Sequence, residues 1–312
     1  MKSLYCSHYS FYRSDLAPQK ILAISDIHFA GELTKNHRRV SDFAKQSKPN
    51  LIVVPGDIID NIGALASDAS KKEFKNWFAE LGKIAPVCIC LGNHDPYYEI
   101  DNPVRIGRRK YIYDTVEESP LIECLAGVKN VHVLDNGVFE NEQNYAFGLS
   151  MPPEYYDTPA HPYTEDKKIL INELRKNAAR LKNLPKNKAK IFLMHSPTYL
   201  ADSDVCKYLD EFDFVFAGHM HNGVVPPILQ EIWRGHRGFV TATKKIFANQ
   251  NTRLGLYGGK LVVLGAVTTV TPKAKEYGLI DAIFPANVAL VEISHKKSDG
   301  TKPSVKRRYK KW

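Results

Sequence analysis

Apolar residues along this chain follow two rhythms. Short runs rich in β-branched or aromatic side chains, each ended by polar or turn residues, recur at Ile21–Ile24, Leu51–Val54, Val87–Leu91, Ile191–Met194 and Phe214–Phe216. Runs of this length and make-up predict buried strands. Between the first three, the rhythm turns helical. Asn36–Ser47 sets Val40, Phe43 and Ala44 at helical spacing. Ser70-x-x-Glu73 resembles a capping box, Phe74, Trp77, Phe78 and Leu81 follow at i, i+3, i+4 and i+7, and Gly82 reads as the stop. Strand, helix, strand, helix, strand predicts parallel βαβ units.

Beyond the third strand the pattern loosens. Pro96–Asp114 is rich in Tyr and Arg and has no period. A short helix follows, with Ser119 as N-cap, Pro120 in the first turn and Gly127 past the end. Val131–Leu134 reads as a strand, Asp135-Asn136-Gly137 as a turn, and Val138–Ser150 as strands of a second sheet. Thr164–Leu184 is the longest predicted helix, with a stripe of Leu170, Leu174, Ala178 and Leu181 closed by Pro185. Strands at Lys260–Thr269 and Val288–Ile293 complete a second sheet packed on the first. The expected division is an N-terminal extension at 1–20, one α/β domain at 21–293 and a flexible basic tail at 294–312.

Composition narrows the class. With 44% hydrophobic residues in 312, a large core is expected. The longest apolar runs, such as Leu261–Val267, fall far short of the roughly 18 residues of a membrane-spanning helix. Residues 1–20 contain Lys2 and Arg13 but no apolar stretch of the kind a secretory signal has. The five cysteines, Cys6, Cys88, Cys90, Cys124 and Cys206, include no Cys-x-x-Cys pair, and Cys88 and Cys90 share one strand face as small buried hydrophobes. A cytoplasmic protein is expected. The net charge of +9 is concentrated at the end, where eight Lys/Arg from Lys296 onward meet one acid, Asp299. That placement excludes a broad basic face. It leaves the tail as a solubilising end, or as a contact for an anionic membrane surface, with Tyr309 and Trp312 at the headgroups, or for nucleic acid.

The chemistry sits where the five strand-like runs end. In order come Asp26-Ile27-His28, Gly56-Asp57-Ile58-Ile59-Asp60, Gly92-Asn93-His94-Asp95, His195 and Gly218-His219-Met220-His221. Each alone is weak: Gly-Asp after a strand is commonly a turn, and a single histidine in an apolar run is commonly structural. Their joint order decides. Were the strands parallel in one sheet, all five motifs would emerge at its carboxyl edge, where open α/β sheets place ligands. Oxygens of Asp26, Asp57 and Asn93 and imidazoles of His28, His195, His219 and His221 would then converge as a two-metal site. Hard oxygens mixed with imidazoles suit Mn²⁺, Fe or Zn²⁺, and no thiolate commits the site to zinc.

This ordered set resembles the calcineurin-like metallophosphoesterase superfamily, whose pattern runs Asp-x-His, Gly-Asp-x-x-Asp, Gly-Asn-His-(Asp/Glu), His, Gly-His-x-His. Every element is met between residues 21 and 222, and looser resemblance to a cytoplasmic or membrane-associated bacterial branch continues to about Ile293. The resemblance implies a β-sandwich of two mixed sheets flanked by helices, with the metal site at the C-terminal edge of the strands. It implies that Asp26, His28 and His221 hold one divalent cation, that Asn93, His195 and His219 hold the other, and that Asp57 bridges them. A bridging anion suits two cations about 3.5–4 Å apart, and water held between them becomes a hydroxide nucleophile near neutral pH. His94, a non-ligand in the family, is expected to protonate or stabilise the leaving oxygen, with Asp95 orienting it.

The implied activity is hydrolysis of a phosphomonoester, phosphodiester or pyrophosphate bond, with a nucleotide or lipid-linked substrate favoured. A nuclease acting on nucleic-acid ends and a non-catalytic scaffold of the same fold are the alternatives. Asp60 reads either as support behind the ligands or as a helix N-cap. Arg38, Arg39, Arg105, Arg108 and Arg109 are candidates for a second phosphate. Trp233, Arg234, His236, Arg237, Tyr155, Tyr156 and His161 are candidate walls of the cleft. His132 reads as structural, and His8, His37 and His295 as surface residues.

Overall fold

The computed structural model describes all residues except 1–3, 107–108, 152–163, 198–199, 201–202, 222–238, 241–245, 248–254, 258, 269–285, 296–309 and 312. Its strands in chain order are β1 (Tyr5–Tyr12), β2 (Gln19–Ala23), β3 (Leu51–Pro55), β4 (Val87–Cys90), β5 (Tyr97–Ile106), β6 (Arg109–Thr115), β7 (Val131–Val133), β8 (Val138–Glu140) and β9 (Asn144–Leu149). Then follow β10 (Ala189–Met194), β11 (Phe214–Ala217), β12 (Phe239–Val240), β13 (Ile246–Phe247), β14 (Gly255–Tyr257), β15 (Leu261–Val263), β16 (Asn287–Ser294) and β17 (Lys310–Lys311). Helices are α1 (Lys35–Ser47), α2 (Asp68–Ile84), α3 (Pro120–Leu125), α4 (Thr164–Leu181) and α5 (Ser203–Leu209). One sheet has the order β17-β1-β16-β2-β3-β4-β7 and the second β14-β15-β11-β10-β9-β8. Both are mixed: β2, β3, β4 and β7 run parallel while β16 is antiparallel to β2. In the second sheet β9, β10, β11 and β15 run parallel, with β8 and β14 antiparallel at the edges.

Strand alternation sorts the core into three layers. Ile21, Ala23, Leu51, Val53, Cys88 and Cys90 face Ile191, Leu193, Phe214 and Phe216 between the two sheets. Their neighbours in sequence, Leu22, Ile24, Ile52, Val54, Val87 and Ile89, face outward under Phe43, Phe74, Trp77, Phe78 and Leu81 of α1 and α2. Phe192, Met194, Val215 and Ala217 do the same under Leu170, Leu174 and Leu181 of α4. Because these central strands are buried on both faces, they read as unbroken apolar runs rather than as an alternation.

Several expectations need correction. The motif-bearing strands do not share one sheet: β2, β3 and β4 lie in the first, β10 and β11 in the second. The sandwich still brings their ends together, since His195 Nδ1–H, past β10, donates to Pro55 O at the end of β3 (2.9 Å). Within the expected N-terminal extension, Tyr5–Tyr12 is a strand of the first sheet. β1 pairs in parallel with β16 from Tyr5↔Asn287 to Tyr12↔Ser294, and Arg13 Nη2 bonds Asp213 Oδ1 at 2.7 Å, joining this strand to the second sheet. At the other end, Lys310 and Lys311, within the tail expected to leave the fold, pair with Cys6 and Tyr5 at the sheet edge. Pro96–Asp114, read as irregular, contains the β5–β6 hairpin; its register slips between Glu99 and Val104, which erases a simple alternation.

Helix boundaries differ for local reasons. The N-cap of α2 is Ser67, whose Oγ accepts from Ser70 N at 3.1 Å, while Ser70 Oγ turns back to Ser67 O at 2.9 Å. Gly82 does not stop the helix, which runs on to Ile84. A Cβ there would stand 2.5 Å from Lys129 O, so the glycine serves close approach of the segment before β7. Of the three histidines expected at the surface, His295 is exposed, His8 is partly buried and only His37 is buried. His8 pairs with Glu292 at 3.0 Å, His295 bonds Leu16 O at 2.7 Å, and His37 is fully buried. His37 Nδ1 accepts from Thr34 N (3.0 Å), which leaves the proton on Nε2 to donate to Ile27 O (3.0 Å). It lies three residues before Val40 and four before Ser41, on the face of α1 that is buried.

Two outcomes follow. Gly82→Ala, although alanine favours helix by about 1 kcal/mol, should destabilise by about 1–3 kcal/mol through the clash with Lys129 O, read as a lower urea midpoint. Burial lowers the His37 pKa to about 4. As pH falls below the ordinary value near 6.5, the unfolded chain takes up this proton before the folded one, so stability present above that value is lost on the way down to about 4. Wild type should lose about 2 kcal/mol more than His37→Asn between pH 7 and pH 5, measured by urea unfolding.

Candidate metal centre

The turn after β2 is zipped to the turn after β3. Asp26 N bonds Gly56 O (3.3 Å), Ile27 N and His28 N both bond Asp57 O (2.8 and 3.1 Å), and Phe29 N bonds Ile58 O (2.9 Å). This lattice holds an unusual backbone. Asp26, His28, Asp57, His219 and His221 have φ of 50, 46, 53, 67 and 47°, all left-handed and none glycine. Each such residue costs of order 1–3 kcal/mol and persists only where its surroundings over-determine it. These five are all residues singled out from sequence.

Asp57 is the hub. Its side chain is 1% exposed, and Oδ2 lies 3.1 Å from His195 Nε2 and 3.7 Å from His28 Nε2. Oδ1 accepts from His94 N at 2.9 Å. Burial alone would raise this carboxyl, yet the imidazoles of His195, His94 and His28 hold it well below the usual range. The effect on His195 is reciprocal: burial opposes its charge, but Asp57 and Asp26 push it up to about 9. Asp26 is raised by burial, opposed by His221 and His195. Burial and neighbouring imidazoles drive His28 and His219 well below the ordinary histidine value. His219 Nδ1 approaches His195 Nε2 at 3.2 Å, and His221 Nε2 lies 3.6 Å from Asp26 Oδ1.

His94 and Asp95 are arranged differently from expectation. His94 Nδ1 bonds the backbone carbonyl of Asp60 (2.7 Å), so Asp60 supports this ring through its main chain. The Asp95 carboxylate does not reach His94. Oδ1 accepts from Ile58 N and Ile59 N (2.8 and 3.0 Å) and Oδ2 from Gly92 N (2.7 Å), which staples the turn after β3 to the turn after β4. Burial and the charge of Asp57 raise Asp95 to about 7 against the Gly92 and Ile59 amides. Gly92 is required beside them, since a Cβ there would stand 2.3 Å from Asp57 Oδ1.

The donor set fits cations. Asp26, His28, Asp57 and His221 offer ligand atoms within 4.8 Å of one another, as do Asp57, His195 and His219. A third set, His28, Asp60 and His94, shares His28 with the first. Asp26 Oδ1, both His28 nitrogens, His221 Nδ1 and Asn93 Oδ1 are buried without a hydrogen bond. Unsatisfied buried polar atoms are costly, and their concentration at one spot is what ligation would resolve. Supporting contacts went unseen in the sequence: Ser25 Oγ donates to Pro55 O (3.0 Å), Ser119 Oγ, of the residue read as the N-cap of α3, to Asp95 O (2.7 Å), and Thr268 Oγ1 to Ile27 O (2.7 Å). None of these residues lies in a motif, and only Ser25, beside Asp26, had a positional cue. His132 packs on Phe139 (ring centroids 4.6 Å), as a structural residue does. Arg38 and Arg39 lie on α1, and Arg39 Nη1 bonds Asn36 Oδ1 (3.3 Å). Arg108, Tyr155, Tyr156, His161, Trp233, Arg234, His236 and Arg237, and the side chains of Arg105 and Arg109, lie outside the described residues.

No helix among the described residues is long and apolar enough to cross a membrane. No curated protein matches the chain. Among solved structures it is similar to a dimetal phosphatase from Danio rerio at 14% identity, covering 81% of this chain and 89% of that one, with a TM-score of 0.41. It is also similar to a phosphopantetheinyl hydrolase from Mycobacterium tuberculosis at 14% identity, with 90% and 98% coverage and a TM-score of 0.39. A purple acid phosphatase from yellow lupin matches at 12% identity over 68% of this chain and 39% of that one, with a TM-score of 0.36. The family described as calcineurin-like phosphoesterase matches over residues 19–223, a span that holds all five motifs, and the chain belongs to that family.

Proposed function

We propose that the protein is a binuclear metal-dependent phosphoester hydrolase acting on a phosphorylated small molecule, with nucleotides and lipid-linked phosphates as the favoured substrates. One observation carries this reading: Asp26, His28, His195, His219 and His221, from three separate turns, gather ligand atoms around the Asp57 carboxylate, and Asp26, His28, His221 and Asn93 carry buried polar atoms without hydrogen bonds. Asp26, His28 and His221 would hold one cation and Asn93, His195 and His219 the other, with Asp57 shared between them. Mn²⁺, Fe and Zn²⁺ all suit these ligands. Two such cations supply Lewis-acid activation of water and neutralise charge on the phosphoryl group.

The chain's own groups then have distinct tasks. His195 spends Nδ1–H on Pro55 O, which leaves Nε2 as its ligand atom. His94, with Nδ1 tied to Asp60 O, would deliver a proton from Nε2 to the leaving oxygen. Asp95 serves by holding the two turns that carry Asp57 and Asn93, not by orienting His94.

Purified protein loaded with Mn²⁺ and screened on monoesters, diesters and pyrophosphates should turn over at least one class; inactivity on all three contradicts the reading. Asp57→Asn removes the shared charge and should empty both metal positions, whereas His28→Ala or His219→Ala should weaken one more than the other, measured by elemental analysis. His94→Ala should keep its metals and lose about 10²–10⁴ in rate. The loss should shrink for nitrophenyl substrates, whose leaving group needs no proton. Equal losses on good and poor leaving groups would remove His94 from the acid role.

A further inference from the structure

The turn Ser25–His28 is pinned on both sides. Its N–H groups point to Gly56 and Asp57, and its carbonyls are taken in sequence from the other direction. Val267 N bonds Ser25 O and Thr268 N bonds Asp26 O, both at 3.0 Å. The Ile27 carbonyl takes two side-chain donors, Thr268 Oγ1–H at 2.7 Å and His37 Nε2–H at 3.0 Å. That carbonyl belongs to the Ile27–His28 peptide, and the residues on either side of Ile27, Asp26 and His28, are both left-handed. Two donors occupy both of its lone pairs and so fix the peptide plane. Rotating that plane would swing the His28 ring away from Asp57.

His37 can donate in only one way. Because Nδ1 accepts from Thr34 N, closing a capping box at the start of α1, the ring proton resides on Nε2. His37 is held in turn by Trp77 of α2, whose Nε1–H reaches His37 O (3.3 Å) and Ser41 Oγ (2.8 Å). We infer that His37 and Thr268 are positioning residues that fix the Asp26–His28 turn for cation binding through the Ile27 carbonyl. The inference rests on the metal-dependent reading above. Neither residue touches substrate or metal; both act through one main-chain oxygen.

Amide side chains separate this role from helix capping. Asn at 37 can reproduce the Nδ1 acceptor but not the distal donor, and Gln can reproduce the Nε2–H donor but not the proximal acceptor. At 268, Ser keeps the hydroxyl and Val removes it. The test is titration of metal-free protein with Co²⁺, followed by its visible absorption, with thermal melting in parallel. His37→Asn and Thr268→Val should each weaken one of two Co²⁺ positions about tenfold or more and alter its spectrum, the scale seen when a group supporting a ligand is lost. His37→Gln and Thr268→Ser should restore wild-type titration and spectrum even where melting temperature falls. Equal Co²⁺ binding and spectra in the Asn and Gln variants, together with no effect of Thr268→Val, overturn the inference while leaving the metal centre intact. A wild type that binds no Co²⁺ overturns the metal centre itself, and the inference with it.

Discussion

A single buried carboxylate organises this molecule. Asp57 is enclosed at the edge of a two-sheet sandwich, and an ionised acid there is tolerable only if positive charge or donors surround it. The fold supplies His195 from the opposite sheet at 3.1 Å, a main-chain N–H from the turn after β4 at 2.9 Å and His28 from the turn after β2 at 3.7 Å. With Asp57 itself, groups from four strand ends meet at one point. His195 responds in kind, pushed up to about 9 by Asp57 and Asp26, while burial and neighbouring imidazoles drive His28 and His219 down.

Meeting that demand sets the architecture around it. Parallel strands deliver their turns to one edge, and stacking two sheets doubles the number of turns that can reach it. The turns must then bend sharply enough to aim side chains back at Asp57, hence five non-glycine residues in left-handed backbone. Such strain persists because bonds elsewhere compensate. Asp95, three residues past Gly92, accepts three amide bonds across two turns, and the N–H groups of Asp26–His28 and the carbonyls of Ser25–Ile27 are matched on either side. Site and scaffold therefore share one hydrogen-bond network.

Much of this was legible in the sequence, for physical reasons. Strands buried on both faces appear as apolar runs, and every ligand candidate follows one of them, so element order and site composition could be read together. What stayed hidden was non-local. Whether β10 and β11 joined the first sheet or faced it depends on pairing across more than a hundred residues, which no local pattern records. The same holds for β1 beside β16 and for Thr268 reaching back to Ile27. His37 was read by its polarity rather than by its place on the buried face of α1, and Asp95 bonds backbone groups 37 residues away at Ile58. The β5–β6 hairpin was missed because a register slip breaks its alternation.

The central claim is that Asp57 is shared by two cations, and crystals grown with Mn²⁺ and measured for anomalous scattering test it most directly. Two peaks are expected, both bonded to Asp57, one beside Asp26, His28 and His221 and the other beside Asn93, His195 and His219. A single peak, or two of which one does not contact Asp57, would contradict it.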